Sequence, residues 1–336
     1  MKTEELSLAL SKKFGKKVKN VAYQLTQLQG GTIADVKLIS GIATTVDGEA
    51  LPYKVALKTQ RSELFAEQRY FEYELYTSGF SELFTAEFRC AECYHAEIAS
   101  DKTEVRLWLE YIEGAISKDL TIEMREQAAE QLGRFQGRIY AHKPSLAEKI
   151  DYATSPDFMQ KRYTEWGSKS DGYEYIRTSN CDIPKHLCEM LIEMDAQASE
   201  VFENLKKLPL VLCHRDYSAH NIFYSDNKIR IIDWDWFGWG YLGADITSLI
   251  ADSLDSKGYM GNLATHYRRI VPAYYKGISE YMDISSIDNT YMWKMTLLSF
   301  GYRFVRRYMR DAQAVKEQQV IALQQMFELK SELQKR

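Results

Sequence analysis

The sequence lacks the features that mark nucleic-acid-binding, membrane-spanning and disulfide-stabilised proteins. Its formal net charge is −4, so it has no excess of positive charge with which to displace counterions from a nucleic-acid backbone. It has no run of about 18 apolar residues that could span a membrane, and residues 1–15 have no apolar segment typical of a secretory signal. The 5 cysteines are an odd number, as expected of reduced thiols. We therefore expect a cytoplasmic protein without nucleic-acid or membrane partners.

Metal-ligand spacing among the cysteines occurs at one place in the chain. Cys90 and Cys93 form a C-x-x-C pair, and His95 follows them. A structural zinc site needs four ligands, and no second pair with this spacing completes the set. We therefore interpret these residues as ordinary side chains on a β strand.

The first third of the chain has the alternating pattern of β strands. Three runs, residues 23–28, 34–43 and 53–59, are separated by turn signals at Gly30-Gly31 and Asp47-Gly48. Residues 62–76 change to helical spacing. Residues 86–98 and 104–112 return to strand-like runs. The pattern predicts a five-stranded antiparallel sheet with one helix inserted after the third strand.

The remainder of the chain is mainly helical. Residues 121–140 carry one apolar stripe at helical spacing, and the chain has helical character almost to its end after Asp245. We interpret the amphipathic stretch at residues 316–335 as a helix that caps the larger lobe. The predicted architecture is α+β, with a small lobe of residues 1–113, a larger lobe of residues 114–336 and a ligand cleft between them.

The strongest functional signal is the run H-R-D-Y-S-A-H-N at residues 214–221, followed by I-I-D ending at Asp233. Phosphoryl transfer needs a carboxylate that orients the acceptor hydroxyl and oxygen ligands that hold magnesium on the phosphates. Asp216 suits the first role. Asn221 and Asp233 suit the second, because Mg²⁺ prefers a few hard oxygen ligands. A lone H-x-D triplet is more often an ordinary turn, but the second acid and the asparagine argue against that here.

These residues, together with G-A-D-I at residues 243–246, resemble the Brenner-type motif and metal-binding segment of the aminoglycoside phosphotransferase and choline kinase family. The resemblance implies a two-lobed protein-kinase-like fold, ATP and Mg²⁺ as cofactors and a small-molecule hydroxyl as acceptor. It implies that Asp216 is the catalytic residue and that Asn221 and Asp233 are the metal ligands. It further implies that Asp245 is a structural acid that caps or anchors a helix.

The resemblance also assigns a lysine and an acid in the small lobe. The run V-A-L-K ending at Lys58 is similar to the third-strand lysine motif of kinases, whose lysine reaches the α- and β-phosphates. A helix acid should orient this lysine. Glu72 matches the family pattern and is favoured over Glu67. Taken alone, a lysine here is in a minority of cases only a surface lysine at the end of a strand.

Two further nucleotide contacts are expected from the resemblance alone. Gly30 and Gly31 lie where a phosphate-covering turn belongs, although the chain has no G-x-G-x-x-G and paired glycines often form only a hairpin turn. Residues 107–112 resemble the linker strand that holds adenine. On this basis Glu110 and Ile112 would supply a backbone carbonyl and a backbone N–H.

Other features exclude protein kinases but leave the acceptor open. Only eleven residues separate Asp233 from Asp245, with no D-F-G, no A-P-E and no room for an activation loop. The aromatic residues between these acids are expected to pack in the core rather than stack on the acceptor. An aminoglycoside, a choline-like amine, a sugar and an amino alcohol all remain candidates. A catalytically silent kinase-like structural or binding protein is the alternative function, and the sequence pattern does not indicate an oligomeric state.

Overall fold

The computed structural model of the protein describes residues 3–28, 34–61, 70–142, 155–165, 171–178, 180–251, 263–308 and 313–333. The chain divides into two compact units. The sheet unit comprises residues 1–114 and 230–235, and the helical unit comprises residues 115–229 and 236–336. Gly30, Gly31 and Glu67 lie outside the described residues.

Within its described residues up to position 114, the sheet unit contains two α-helices and six strands. These elements are α1 (Thr3–Phe14), β1 (Val18–Gln27), β2 (Ala34–Thr45), β3 (Ala50–Arg61), α2 (Phe71–Thr77), β4 (Phe88–Cys90), β5 (Cys93–Ile98) and β6 (Glu104–Glu110). Five strands form one sheet in the order β1-β2-β3-β6-β5, and each neighbouring pair is antiparallel. The predicted five-stranded sheet is therefore confirmed.

Two details of the sheet unit differ from the prediction. The run at residues 86–98 is not one strand, because residues 91–92 break it into β4 and β5, and β4 lies outside the five-stranded sheet. The unit also has a helix that was not predicted. In α1, Leu6, Ala9 and Leu10 follow helical spacing and pack in a buried cluster with residues of β2 and β3.

Strand β3 directs its side chains to two different environments. Val55 and Leu57 belong to the same buried cluster as α1. Lys58 and Gln60 lie on the opposite face, since successive side chains alternate along a strand. In the register of β3 and β6, Lys58 is paired with Leu107, a buried residue of the other core cluster. The alternation therefore forces a lysine and a glutamine into the interior of the sheet unit.

The helical unit contains most of the remaining elements. They are β7 (Ala115–Ile116), α3 (Ile122–Ala141), α4 (Phe158–Tyr163), α5 (Asp171–Ile176), α6 (Lys185–Leu205), β8 (Leu210–Cys213), β9 (Ile222–Ser225), β10 (Lys228–Ile231), β11 (Gly238–Tyr241), α7 (Ala244–Ala251), α8 (Leu263–Ile278), α9 (Asn289–Tyr308) and α10 (Gln313–Leu333). The last two residues of β10 belong to the sheet unit. Among the described helices, none combines the length and apolar character needed to cross a membrane.

Glycines allow helices α3 and α8 to cross closely. A Cβ atom at Gly133 would lie 2.4 Å from the carbonyl oxygen of Tyr274, and one at Gly277 would lie 2.0 Å from that of Glu130. Both distances are too short for any side chain, so the crossing requires glycine at both positions. The close approach brings the Tyr274 hydroxyl within 2.7 Å of Gln136 Oε1. This pair supports the loop described below.

Candidate functional site

In the sheet unit, the amino group of Lys58 lies among three carboxylates. Its Nζ is 2.5 Å from Glu72 Oε2, 2.6 Å from Asp233 Oδ1 and 3.0 Å from Asp235 Oδ2. The side chains of Lys58, Glu72 and Asp235 are 7%, 0% and 4% exposed, whereas that of Asp233 is 36% exposed. We call these four residues the Lys58 cluster. The helix acid that contacts Lys58 is Glu72, as the sequence pattern favoured.

The carboxylates of the Lys58 cluster stabilise the positive charge of Lys58. Burial alone would lower the pKa of Lys58, but the charges of Asp235, Glu72 and Asp233 raise it well above its usual value. The ammonium is therefore fully charged. Burial raises the pKa of Asp235 well above its usual value, although Lys58 opposes this effect. A buried charge of this kind is tolerated because it is paired and hydrogen-bonded on several sides.

The segment Asp233-Trp234-Asp235 is fixed by its central indole. Trp234 is fully buried, its Nε1 donates to the carbonyl of Ile231 at 3.2 Å, and its ring meets Phe84 edge-on at 5.2 Å. Asp233 adopts a left-handed backbone with φ of 66°. That conformation is uncommon for a residue with a side chain and is typical of functional sites. With the indole held in the core, the aspartates on either side both reach Lys58.

Asp235 and Gln60 are two members of this site that the sequence analysis did not identify as functional. Gln60 is fully buried, and its Nε2 donates to Asp235 Oδ1. The carboxylate oxygens of Glu72, Asp233 and Asp235 lie within 4.8 Å of one another, and this is the one trio of potential metal ligands found among the described residues. The period of β3, which places Gln60 on the same face as Lys58, is the signal that could have identified it.

In the helical unit, residues 214–221 form a loop between β8 and β9, which we call the H-x-D loop. Asp245, in the first turn of α7, accepts hydrogen bonds from the backbone N–H groups of His214 and Arg215, each at 2.8 Å. Gln136 of α3 donates to the same carboxylate at 3.1 Å. Asp245 therefore anchors the H-x-D loop, whereas the resemblance implied that it caps or anchors a helix.

Within the H-x-D loop, Asn221 holds Asp216. The Asn221 amide donates to the backbone carbonyl of Asp216 at 2.9 Å and to its Oδ2 at 3.1 Å. The Asp216 N–H donates to His214 Nδ1 at 3.2 Å. The Asp216 side chain is 32% exposed, so its carboxylate is fixed in direction and still accessible to a solute. The loop thus brings together two of the residues predicted from the motif.

Arg215 is a buried residue of the same loop, and its side chain holds the loop to neighbouring segments. Its guanidinium donates to the carbonyl oxygens of Ser155 and Trp239, and it lies 4.8 Å from the centre of the Phe158 ring. Burial lowers the pKa of Arg215 to about 10. Its backbone φ of 67° is left-handed, like that of Asp233. The side chain therefore connects the loop to the chain segments around it.

The aromatic residues after Asp233 lie mostly in the core. Phe237 and Tyr241 are buried, as is Trp234 in the sheet unit. Trp236 and Trp239 are partly exposed, and Trp236 packs against Phe158 at 5.7 Å. Core packing therefore accounts for most of this aromatic segment.

The remaining predicted nucleotide contacts stay predictions. Glu110 is the last residue of β6, and its side chain forms a two-pronged ion pair with Arg89 at 2.7 and 3.0 Å. Ile112 packs at the edge of the core cluster that includes Leu107. Gly30 and Gly31 fall outside the described residues, as does the rival acid Glu67.

Cys90, Cys93 and His95 form no metal-binding trio within the described ranges. Cys90 ends β4, and Cys93 begins β5 with its thiol 3.4 Å from the carbonyl of His95. Burial raises the pKa of both thiols to about 12. Both side chains are therefore neutral thiols at neutral pH.

Comparison with known proteins identifies the family of the chain and its fold. The model of the phosphotransferase enzyme family, APH, matches residues 25–278. No curated protein matches the sequence significantly. Solved structures do match. A choline kinase from Cryptosporidium parvum Iowa II is 15% identical, with 93% of this chain and 90% of that chain covered and a TM-score of 0.56.

Two antibiotic-modifying enzymes match over similar lengths. Wild-type aminoglycoside 2′-phosphotransferase-IIIa, solved with GDP, is 13% identical over 97% of this chain and 98% of that chain, with a TM-score of 0.54. Amicoumacin kinase hAmiN, solved with AMP-PNP, Ca²⁺ and Ami, is 15% identical over 92% of this chain and 88% of that chain, with a TM-score of 0.51. At these identities the likeness establishes the fold, and the predicted two-lobed protein-kinase-like class is confirmed.

Proposed function

Because the chain belongs to the phosphotransferase enzyme family, we propose that it transfers the γ-phosphate of ATP, with Mg²⁺, to a hydroxyl group of a small molecule. The observation that carries this proposal is the Lys58 cluster. A lysine fixed by the buried Glu72 and lying beside the more exposed Asp233 is the arrangement that nucleotide phosphates and their metal require. The accessible Asp216 carboxylate in the helical unit supplies the second requirement, a group that orients the acceptor.

The sheet unit would bind the phosphates through Lys58. Its ammonium carries three donors, and Glu72 and Asp235 hold it from their buried positions. The lysine is thereby positioned before the nucleotide arrives, so little reorganisation is needed on binding. We propose that it contacts the α- and β-phosphates.

The proposed metal ligands suit magnesium. Asp233 offers a carboxylate, and Asn221 offers an amide oxygen, both of which are hard ligands. The Asn221 NH₂ group faces Asp216, so the oxygen on the same carbon points away from that carboxylate. When bound, Mg²⁺ offsets the negative charge that develops between the β- and γ-phosphates.

Asp216 would orient the acceptor and receive its proton. A hydroxyl hydrogen-bonded to this carboxylate is aligned for in-line attack on the γ-phosphorus, and its proton passes to Asp216 as the new P–O bond forms. The bond from the γ-phosphorus to the bridging oxygen breaks, and that oxygen leaves with ADP. Asn221 prevents the carboxylate from rotating away. Asp245 and Gln136 hold the backbone of the loop in place.

The test combines binding with turnover. ATP binding is measured by calorimetry with and without Mg²⁺, and ADP formation is measured against a panel of amino alcohols, sugars, hydroxy acids and aminoglycosides. Asp233→Asn should weaken Mg²⁺-dependent ATP binding. Asp226→Asn, in an exposed turn, is the matched control and should behave like the wild type. Mg²⁺-dependent ATP binding without turnover on any acceptor would favour the catalytically silent alternative. No ATP binding would refute the proposed transfer from ATP.

A further inference from the structure

A second charged side chain, Arg162 on α4, lies beside the proposed catalytic aspartate. Its Nη1 is 4.0 Å from Asp216 Oδ1 and donates to the backbone carbonyl of Arg215 at 3.1 Å. The Arg162 side chain is 19% exposed. All of these groups belong to the helical unit. A solute whose hydroxyl group reaches Asp216 therefore meets a guanidinium that lies 4.0 Å from that carboxylate.

The position of this guanidinium is fixed by its surroundings. It lies 5.3 Å from the centre of the Phe158 ring, one turn away on the same helix. Together with the bond to the Arg215 carbonyl, this contact holds the planar fork in one orientation. A fixed guanidinium is the side chain best suited to recognise a carboxylate or a phosphate, because it can donate two parallel N–H bonds.

Arg162 also borders a pocket of the helical unit formed by α4, β11, α7 and α9. The pocket has apolar walls from Phe158, Met159 and Tyr241 and hydroxyl groups from Ser248 and Ser299. Its cavity volume of about 40 Å³ admits only a group of a few atoms, so it suits a small end group of a ligand.

The charges around this pocket are unfavourable for a polycation. Among the described residues that line it, the charged side chains are Arg162, Arg215 and Asp245. The Asp245 carboxylate is buried and already accepts bonds from the backbone of the H-x-D loop. An aminoglycoside would bring several positive charges next to two guanidinium groups. The carboxylates near them are Asp245, which is already occupied, and Asp216, which the acceptor hydroxyl needs.

We propose that Arg162 binds an anionic group of the acceptor, so that the substrate is a small hydroxyl compound bearing a carboxylate or a phosphate. This inference rests on the proposed function and specifies its acceptor class. The acceptor hydroxyl lies at Asp216, the anion lies at Arg162, and the body of the molecule extends toward the pocket. Arg162 is then a specificity-determining residue for phosphoryl transfer.

Matched acceptors test this assignment. Hydroxybutyrate and glycerate are compared with their neutral amides, and glycerol phosphate is compared with glycerol. The effects of a carboxylate and of a phosphate are thus measured separately. The wild type should prefer the anionic member of at least one pair. Arg162→Gln should lower kcat/KM for that member roughly 10- to 100-fold more than for its neutral partner, mainly through KM. Arg162→Lys should recover part of the loss.

Arg177→Gln is the control for loss of an arginine. Arg177 also lies over an aromatic ring, that of Tyr173 at 5.5 Å, and its Nη2 is 2.7 Å from Asp195 Oδ2. This variant should keep the wild-type preference. Thermal unfolding of each variant identifies any loss of fold.

The outcomes separate this inference from the proposed function. Equal losses for anionic and neutral acceptors in Arg162→Gln, or a wild-type preference for aminoglycosides, would overturn the inference and leave the kinase proposal intact. If the wild type phosphorylates nothing in the panel, the proposed function fails. The inference is then decided by binding of hydroxybutyrate and glycerol phosphate, measured by saturation-transfer NMR, since binding that does not depend on Arg162 also overturns it.

Discussion

At the scale of single residues, the charge balance around Lys58 is the most consequential feature of the sheet unit. One ammonium compensates Glu72 and Asp235, which are both buried, and also contacts Asp233. Removing one partner of a buried ion pair is strongly destabilising, because the remaining charge has lost both water and its counterion. Residues proposed to bind the nucleotide and its metal are therefore also needed for the stability of the sheet unit.

Replacement of Lys58 by methionine should destabilise the protein by about 3–5 kcal/mol, because it leaves buried carboxylates without a counterion. Lys54→Met is the matched control on the same strand. Its amino group pairs with Glu113 at the surface, where both side chains are more than half exposed, so the expected change is below about 1 kcal/mol. Urea unfolding of the two variants measures the difference. Similar losses for both variants would show that the Lys58 cluster is not a paired buried site.

Single residues are also where the sequence was least informative. Asp216, Asn221 and Lys58 could be singled out because they lie in motifs with a local spacing, and their roles stay predictions. The contacts of Asp235 could not, because Lys58 is 177 residues away along the chain and only the fold brings the two together. The same reason applies to Gln136, which reaches Asp245 from a helix 109 residues earlier.

At the scale of elements, the crossing of α3 and α8 positions the H-x-D loop. Gly133 and Gly277 permit the close approach, and Gln136 and Tyr274 then meet across the contact. Gln136 also donates to Asp245, which in turn accepts hydrogen bonds from the backbone of His214 and Arg215. The contact between α3 and α8 therefore helps to hold the loop that carries the proposed catalytic aspartate.

Gly277→Ala should destabilise the protein by about 1–3 kcal/mol, because its Cβ would meet the backbone of α3, which cannot move aside cheaply. Gly301→Ala in α9 is the control. There the new methyl group meets the flexible end of Met194, and alanine favours the helix, so the change should stay within about 1 kcal/mol. Denaturant unfolding gives both values. A larger loss at Gly301 than at Gly277 would contradict the importance of the crossing.

Element prediction succeeded where the periodic signal was long. The three first strands and the helix at α3 agree with the sequence pattern, with Thr121 as the N-cap of α3 through its bond from the Met124 N–H. The short α1 was missed, although its apolar residues have helical spacing. The break between β4 and β5 was missed as well. No turn signal marks residues 91–92, where the chain enters the five-stranded sheet.

At the scale of the whole molecule, stability should depend on pH through a buried histidine. Burial lowers the pKa of His266 from 6.5 to about 4, and the nearby charges of Arg125 and Arg269 act in the same direction. The unfolded chain therefore binds a proton at His266 between about pH 6.5 and 4, whereas the folded chain does not. Folding stability is complete above the ordinary pKa and is lost as the pH falls through this window.

The free energy of unfolding should fall by about 2 kcal/mol between roughly pH 7.5 and 5 on account of His266 alone. Other groups titrate in the same range, so the effect is isolated by comparing the wild type with His266→Gln in urea at each pH. The variant should show a flatter dependence by that amount. Parallel pH profiles for the two proteins would mean that His266 is not buried in its neutral form.

The fold class was predictable from the order of strands and helices, together with one motif. The family match over residues 25–278 agrees with the resemblance seen in residues 214–246. The acceptor was not predictable, because residues near its proposed position, such as Arg162 and Ser299, come from different helices and form no motif in the sequence.

The most direct test of the account is transfer of labelled γ-phosphate from ATP to the acceptor panel by the wild type, Asp216→Asn and Asp226→Asn, with ATP affinity measured in parallel. We expect a labelled acceptor from the wild type and from Asp226→Asn. Asp216→Asn should lower kcat by about 10²- to 10⁴-fold while ATP affinity changes less than about 3-fold. Undiminished transfer by Asp216→Asn would contradict the central claim that this carboxylate orients the acceptor for phosphoryl transfer.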